Sequence, residues 1–300
     1  MINDNTAHGD IHISGSGRVE GGSYRSVKIS GSGSVSGASF ENVEITGSGK
    51  VTGTGEAGGS EGSARNIKIN GSGCAGGGSY DTVVINGSGK ISGDLVCREL
   101  SISGSGSMQG SVKGEEITIS GSAKIDGDLH GKKAIFHGSS NIKGEVNCGD
   151  FSAYGSVSVN KGLKAQNLSV GGSLSVRQDC SAETFEPEGV FDIGGLLNAD
   201  TIRVKLHSHT SRAREIGGER IEVRTSLQVL GFFKSILGIH TPRLETELIE
   251  GNEISLENTT AKVVRGNLIT IGRGCDIGLV EYQGCLNRSD DARIGEERKV

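Results

Sequence analysis

The chain has 300 residues and a formal net charge of −5, with 51 glycines, two prolines and no tryptophan. Its basic residues are interspersed through most of the length, so a nucleic-acid-binding surface is not expected. Because aromatic residues make up only 4% of the chain, we expect a narrow interior of Ile, Val and Leu instead of a large globular core.

The first ten residues, 1–10, are mostly polar. They have neither the basic start nor the apolar run of a secretory signal. We therefore predict an N-terminal tail at 1–10 and a cytoplasmic location.

From residue 11 to 226 one sequence motif recurs: apolar-x-apolar-x-Gly-Ser-Gly-x-apolar-x-Gly. Its first copy is Ile11–Gly21, and the later copies settle to a constant spacing, as from Leu100 to Ile117 and on to Ala134. Apolar and polar residues alternate with a period of two, which indicates strands with one buried face and excludes a helix. A repeat of this length holds three short strands and three corners, which is one coil of a β-helix.

Residues one repeat apart stack above each other in such a fold, so columns of the sequence become ladders. Three apolar ladders are predicted, represented by Ile85, Ile102 and Ile119, by Val35 and Val51, and by Leu95, Val112 and Leu129. A polar column that includes Ser103 and Ser120 is predicted to face solvent.

Glycine recurs once per coil in a further column, for example at Gly104 and Gly121. A corner needs glycine either for a positive φ or for close backbone approach. A flexible Gly/Ser linker has a similar composition but no apolar ladders in register, so disorder is rejected for most of this region. The extra residues at 54–64 are predicted to form a protruding loop.

The repeat is interrupted at 227–247, which we predict to be an apolar insertion. It is too short to span a bilayer. It either packs on the solenoid or forms a patch that meets a membrane surface or a partner protein. The apolar side chains of this patch are Leu227, Val229, Leu230, Phe232, Phe233, Ile236, Leu237 and Ile239.

Alternation returns at 248–286, which predicts further β-helix coils. Residues 287–300 are predicted to be a charged C-terminal tail, in which Ala292–Ile294 could add a last strand. The six cysteines lack CxxC pairs and a compact framework spacing, so they are interpreted as free thiols in a reducing compartment.

Repeats such as Ile85–Leu95 and Ile119–Leu129 have the form Ile-x-Gly-Ser-Gly-x-Ile-x-Gly-Asp-Leu or a close variant. With the late stretch Ile249–Gly266, they resemble the bactofilins, the polymer-forming cytoskeletal proteins of bacteria. The resemblance implies a right-handed parallel β-helix, a β-solenoid in which each repeat of the motif forms one coil. It also implies end-to-end assembly without nucleotide, as a scaffold for envelope or cell-shape proteins at the inner membrane, with no catalytic residues and no cofactor.

The ends of a solenoid expose unpaired backbone groups over an apolar core, which another copy can pair with. The predicted polymer interface comprises Ile11, Ile13 and Val19 at one end and Ile269, Ile271 and Ile277 at the other. Homopolymer formation is therefore the principal expected interaction.

No catalytic or metal-binding constellation is apparent. Two G-x-G-x-x-G matches arise in glycine-rich repeats without a following helix, and His207-Ser-His209 lacks a placed third ligand. We therefore expect no enzyme activity, cofactor, metal or nucleic-acid partner. The alternatives are a monomeric β-helix binding module, a surface adhesin and a carbohydrate-active β-helix enzyme.

Overall fold

The computed structural model describes residues 9–53, 65–207, 209–225 and 242–300. Within these ranges every regular element is a β-strand and no helix occurs. The predicted loop at 54–64 and most of the predicted insertion at 227–247 lie outside the described residues.

The chain forms two compact units, unit 1 (Met1–Cys148) and unit 2 (Gly149–Val300). The strands of unit 1 are β1 (Gly9–Ile13), β2 (Ser16–Glu20), β3 (Ser23–Ile29), β4 (Ser32–Ser36), β5 (Ser39–Ile45), β6 (Ser48–Thr52), β7 (Asn66–Ile69), β8 (Ser72–Ile85), β9 (Ser88–Ile102), β10 (Ser105–Met108), β11 (Val112–Ile119), β12 (Ser122–Ile125), β13 (Leu129–Phe136) and β14 (Ser139–Ile142). Strand β15 (Val146–Ala153) crosses the boundary. The strands of unit 2 are β16 (Ser156–Val159), β17 (Leu163–Val170), β18 (Ser173–Val176), β19 (Cys180–Pro187), β20 (Val190–Leu206), β21 (Ser211–Thr225), β22 (Leu244–Leu256), β23 (Thr259–Ile271), β24 (Asp276–Arg288) and β25 (Arg293–Lys299).

Neighbouring strands are parallel and pair one coil apart. In unit 1, Ile11 pairs with Val27 and Ile119 pairs with Phe136. In unit 2, Val159 pairs with Val176. The paired residues are one repeat apart in the sequence, which confirms the predicted all-β solenoid and its coil length.

The apolar ladder of unit 1 is continuous and dry. Ile85 pairs with Ile102, which pairs with Ile119, and none of the three side chains has exposed area. Ser103 and Ser120, which follow two of these isoleucines, are exposed. The alternation of buried and exposed positions therefore follows the predicted inward and outward faces.

The corner glycines are required by close approach between coils. A Cβ at Gly121 would lie 1.9 Å from the carbonyl oxygen of Gly104, although the φ of Gly121 is not positive. The same carbonyl accepts a hydrogen bond from the backbone N–H of Ser122 at 2.9 Å. The two reasons for glycine left open by the sequence are thus resolved in favour of backbone proximity.

Aspartates at a second corner link successive coils. The Oδ1 atom of Asp94 accepts a hydrogen bond from the N–H of Ser111 at 2.8 Å, and that of Asp128 accepts one from Glu145 at 2.8 Å. These bonds explain the recurrent Gly-Asp pair, because a short acceptor there satisfies a donor of the next coil.

The last coils differ from the expected boundaries. Strand β22 begins at Leu244, inside the range predicted as an insertion. Strand β25 lies within 287–300, where a charged tail was expected, and Ile294 pairs with Ile277 one coil earlier. The coils therefore continue almost to the last residue.

Candidate functional site

The first described coil of unit 1 presents an open strand edge. Within the part of the chain that the structure describes, β1 pairs only with β3 and β2 only with β4. Ile11 and Val19 are partly exposed, whereas Val27 and Val35, their equivalents one coil on, are fully buried. We call β1 and β2 the N-terminal edge. Ile11 and Val19 have the exposure expected of a core that a further coil would cover, whereas Ile13, the third predicted interface residue at this end, is buried, with 9% of its surface exposed.

The predicted opposite end is displaced. Ile269, Ile271 and Ile277 are no more than 1% exposed, so they are core residues and not an end surface. Strand β24 pairs over β23 and β25 pairs over part of β24. The sequence suggested a last strand at Ala292–Ile294 but the end surface was still placed one coil earlier, because Ile294 stands alone among charged residues. Its spacing from Ile277, which equals one regular repeat, is the signal that locates the last coil.

Strand β25, which we call the C-terminal edge, has a different character. Among the described residues its only strand partner is β24. Glu296, Glu297, Arg298 and Lys299 are all exposed. Charged side chains on an edge strand disfavour pairing with a further strand, so the two edges are chemically unlike.

A ladder of alternating charge leads up to the C-terminal edge. Glu250, Arg265, Glu281 and Arg298 occupy successive coils in register. Glu281 accepts hydrogen bonds from Arg265 at 2.8 Å and from Arg298 at 2.9 Å. These two guanidinium groups, Arg265 first, hold the pKa of Glu281 below its ordinary value of 4.5. The ladder was missed from the sequence, where the unequal spacing of its four members obscures the alternation of sign.

The predicted membrane or partner patch at 227–239 lies outside the described residues. Its members are Leu227, Val229, Leu230, Phe232, Phe233, Ile236, Leu237 and Ile239. In the described ranges, no helix has the length and apolar character needed to cross a bilayer.

The structure brings few reactive groups together. His207 and His209 are both exposed. No cluster of three or more His, Cys, Asp or Glu side chains suited to a metal ion occurs in the described ranges. Burial raises the pKa of the thiols of Cys97 and Cys180 to about 12, so both are protonated and poor nucleophiles at neutral pH.

The chain is similar to two proteins of Bacillus subtilis (strain 168). It is 42% identical to the uncharacterized protein YhbE over 108 residues, which are 36% of this chain and 44% of YhbE. It is 38% identical to the uncharacterized protein YhbF over 106 residues, which are 35% of this chain and 42% of YhbF. The matches thus span less than half of either relative. No protein-family model and no solved structure matches the chain.

Proposed function

We propose that this protein is a non-enzymatic structural scaffold of the bactofilin type that assembles with copies of itself through its solenoid ends, without nucleotide. A β-solenoid is consistent with a scaffold, because each coil contacts only its neighbours and the fold extends by addition. The observation that carries the proposal is the N-terminal edge, where Ile11 and Val19 are partly exposed beside strand edges that have no partner among the described residues.

A second copy that docks on the N-terminal edge gains both backbone hydrogen bonds and apolar burial. Strand addition satisfies donors and acceptors that otherwise rely on water, and it removes Ile11 and Val19 from solvent. The charged C-terminal edge offers no comparable apolar gain, so we place the main contact at the N-terminal edge. Contact at the C-terminal edge is expected to depend on ionic strength, because its charges are exposed and screened by salt.

The test compares the wild-type protein with Ile11→Asp and His12→Asp. Ile11 is a partly buried apolar residue of the N-terminal edge, whereas His12 is its exposed neighbour on the same strand, so the pair is matched in position and added charge. Size-exclusion chromatography with light scattering, and negative-stain microscopy, are run at several concentrations.

We expect assemblies of the wild type that grow with concentration, loss of these assemblies in Ile11→Asp and their retention in His12→Asp. Thermal melts establish that both variants remain folded. A wild-type protein that stays a sharp monomer at the highest concentration rules out self-assembly. Equal assembly by the two variants removes the N-terminal edge as the contact.

We further propose a cytoplasmic location at the inner face of the membrane, with envelope or cell-shape proteins as partners. The apolar residues of 227–239 and the family resemblance support this part of the proposal. Flotation of the purified protein with phosphatidylglycerol–phosphatidylethanolamine vesicles tests it. Recovery with the vesicles that is lost in a Phe232→Ser/Phe233→Ser variant supports the proposal, and absence of the wild-type protein from the vesicle fraction contradicts it.

A further inference from the structure

Unit 2 carries a pocket on its outer surface around an exposed aromatic ring. The pocket has a volume of 350 Å³, within the range of small-molecule sites. We call it the Tyr154 pocket. The residues that line it include Tyr154, Gly171, Glu186, Glu188, Arg203 and Lys205.

The aromatic side of the pocket depends on Gly171, which has no side chain and so leaves room for the Tyr154 ring. Tyr154 directly follows β15 and Gly171 follows β17, one coil later, and the N–H of Gly171 donates to the carbonyl of Ala153 at 2.9 Å. A Cβ at Gly171 would lie 2.9 Å from Cδ1 and 3.5 Å from Cε1 of Tyr154. The tyrosine ring therefore fills the space above Gly171, whose φ is not positive and does not itself require glycine.

This tyrosine stays largely in solvent despite its defined position. It is 54% exposed, whereas Tyr80 is 5% exposed and donates its hydroxyl hydrogen bond to the carbonyl of Gly76. The exposed part of the Tyr154 side chain borders the pocket.

The polar side of the pocket is made of two ion pairs from the following coils. Glu186 pairs with Arg203 at 2.6 Å, and Glu188 pairs with Lys205. The formal charges cancel, so the pocket favours neither an anion nor a cation. It offers carboxylate oxygens that accept hydrogen bonds beside guanidinium and ammonium groups that donate them.

These features together match a sugar ring. A pyranose presents C–H groups on one face, which stack on an aromatic ring, and adjacent hydroxyls at its edge that both donate and accept hydrogen bonds. Tyr154, Gly171 and Glu188 lie on successive coils, so the ring and the carboxylate border the same pocket.

We propose that the Tyr154 pocket binds one neutral pyranose unit of a carbohydrate. The site is independent of the N-terminal edge, so it stands whether or not the protein self-assembles. Tyr154 supplies the stacking surface, Gly171 leaves room for that ring, and the Glu186–Arg203 pair binds hydroxyl groups.

Saturation-transfer NMR tests the proposal with four neutral probes: cellotetraose, maltotetraose, mannotetraose and chitotetraose. The variants are Tyr154→Ala, which removes the ring, and Tyr154→Phe, which keeps the stacking surface. Tyr282→Ala is the matched control, because it removes another partly exposed tyrosine of unit 2 that is not among the residues lining the pocket.

We expect transfer to at least one probe with the wild type, Tyr154→Phe and Tyr282→Ala, and a loss of at least tenfold with Tyr154→Ala. Gly171→Ala is expected to weaken the same signal, because its Cβ displaces the ring. Circular dichroism establishes that each variant is folded. No transfer from the wild type to any of the four probes overturns the proposal, as does full binding by Tyr154→Ala.

Discussion

Glu281 is a residue at which electrostatics and packing act on the same side chain. Its carboxylate is clamped between Arg265 and Arg298, and only 12% of the side chain is exposed. The lowered pKa means that the folded state favours the ionised form more than the unfolded state does. This contribution to stability is present above the ordinary pKa of 4.5 and is lost as the pH falls through the lower value of the folded protein.

We therefore predict that Glu281→Gln lowers the melting temperature at pH 7 and that its difference from the wild type shrinks below about pH 4.5. Melting temperatures across pH 2.5–8 measure the effect, with exposed Glu183→Gln as the control that shows little change. A difference that stays constant over the whole range would contradict the role of ionisation.

At the scale of the strand, stability depends on which face a residue occupies. Ile85 and Ile119 are fully buried in the same ladder, whereas Ser103 is exposed one residue after Ile102. An aspartate in the ladder places an unpaired carboxylate in a dry interior, at a cost of several kcal/mol. The same side chain at Ser103 remains in water.

Ile85→Asp and Ile119→Asp are accordingly expected to destabilise the protein by about 3 kcal/mol or more, and Ser103→Asp by less than about 0.5 kcal/mol. Denaturant unfolding followed by circular dichroism provides the comparison. Similar midpoints for the buried and exposed substitutions would refute the assignment of the two faces.

The strands were predictable from the sequence where the repeat is regular. The constant repeat length placed Ile102 above Ile85, because a β-ladder requires equivalent residues to align in register. The last strand was predicted only as a short possible addition at Ala292–Ile294, because β25 contains one apolar side chain, Ile294, among charged neighbours. Backbone coordinates were needed to explain Gly121, because a positive φ and a close carbonyl oxygen both require glycine and cannot be distinguished from the residue type alone.

The candidate surfaces were predicted only in part. Ile11 and Val19 were identified at an open edge because they belong to the first copy of a visible repeat. The Tyr154 pocket was missed, because Tyr154, Glu186 and Arg203 come from different coils and each looks like an ordinary outward residue. Their proximity follows from the stacking of coils. The same stacking brings many other sets of outward residues together, so the sequence alone does not single out this one.

For the whole molecule, the distribution of cysteines provides a test of the fold. Cys97, Cys148, Cys180 and Cys275 are buried, Cys74 is partly exposed and Cys285 is exposed. Reagents modify the accessible thiolate, so buried thiols react only after opening of the structure.

We predict that a thiol reagent labels Cys285 and, more slowly, Cys74 in the native protein, and labels the other four only on unfolding. Mass spectrometry after timed labelling counts the modified sites, and Cys285→Ser removes the fastest phase. Immediate labelling of all six thiols would be incompatible with the buried ladders.

The near-identity of successive coils has a consequence for how the chain reaches its native state. If a strand pairs with its register shifted by one whole repeat, glycine still lies next to glycine and isoleucine next to isoleucine. Such a shift therefore costs little free energy within the regular part of unit 1. Correct alignment must then be chosen by the irregular residues, such as Phe136 in its isoleucine column or the arginine–glutamate pairs of unit 2. Misregistered intermediates in refolding are therefore expected mainly in the coils that contain few such irregular residues.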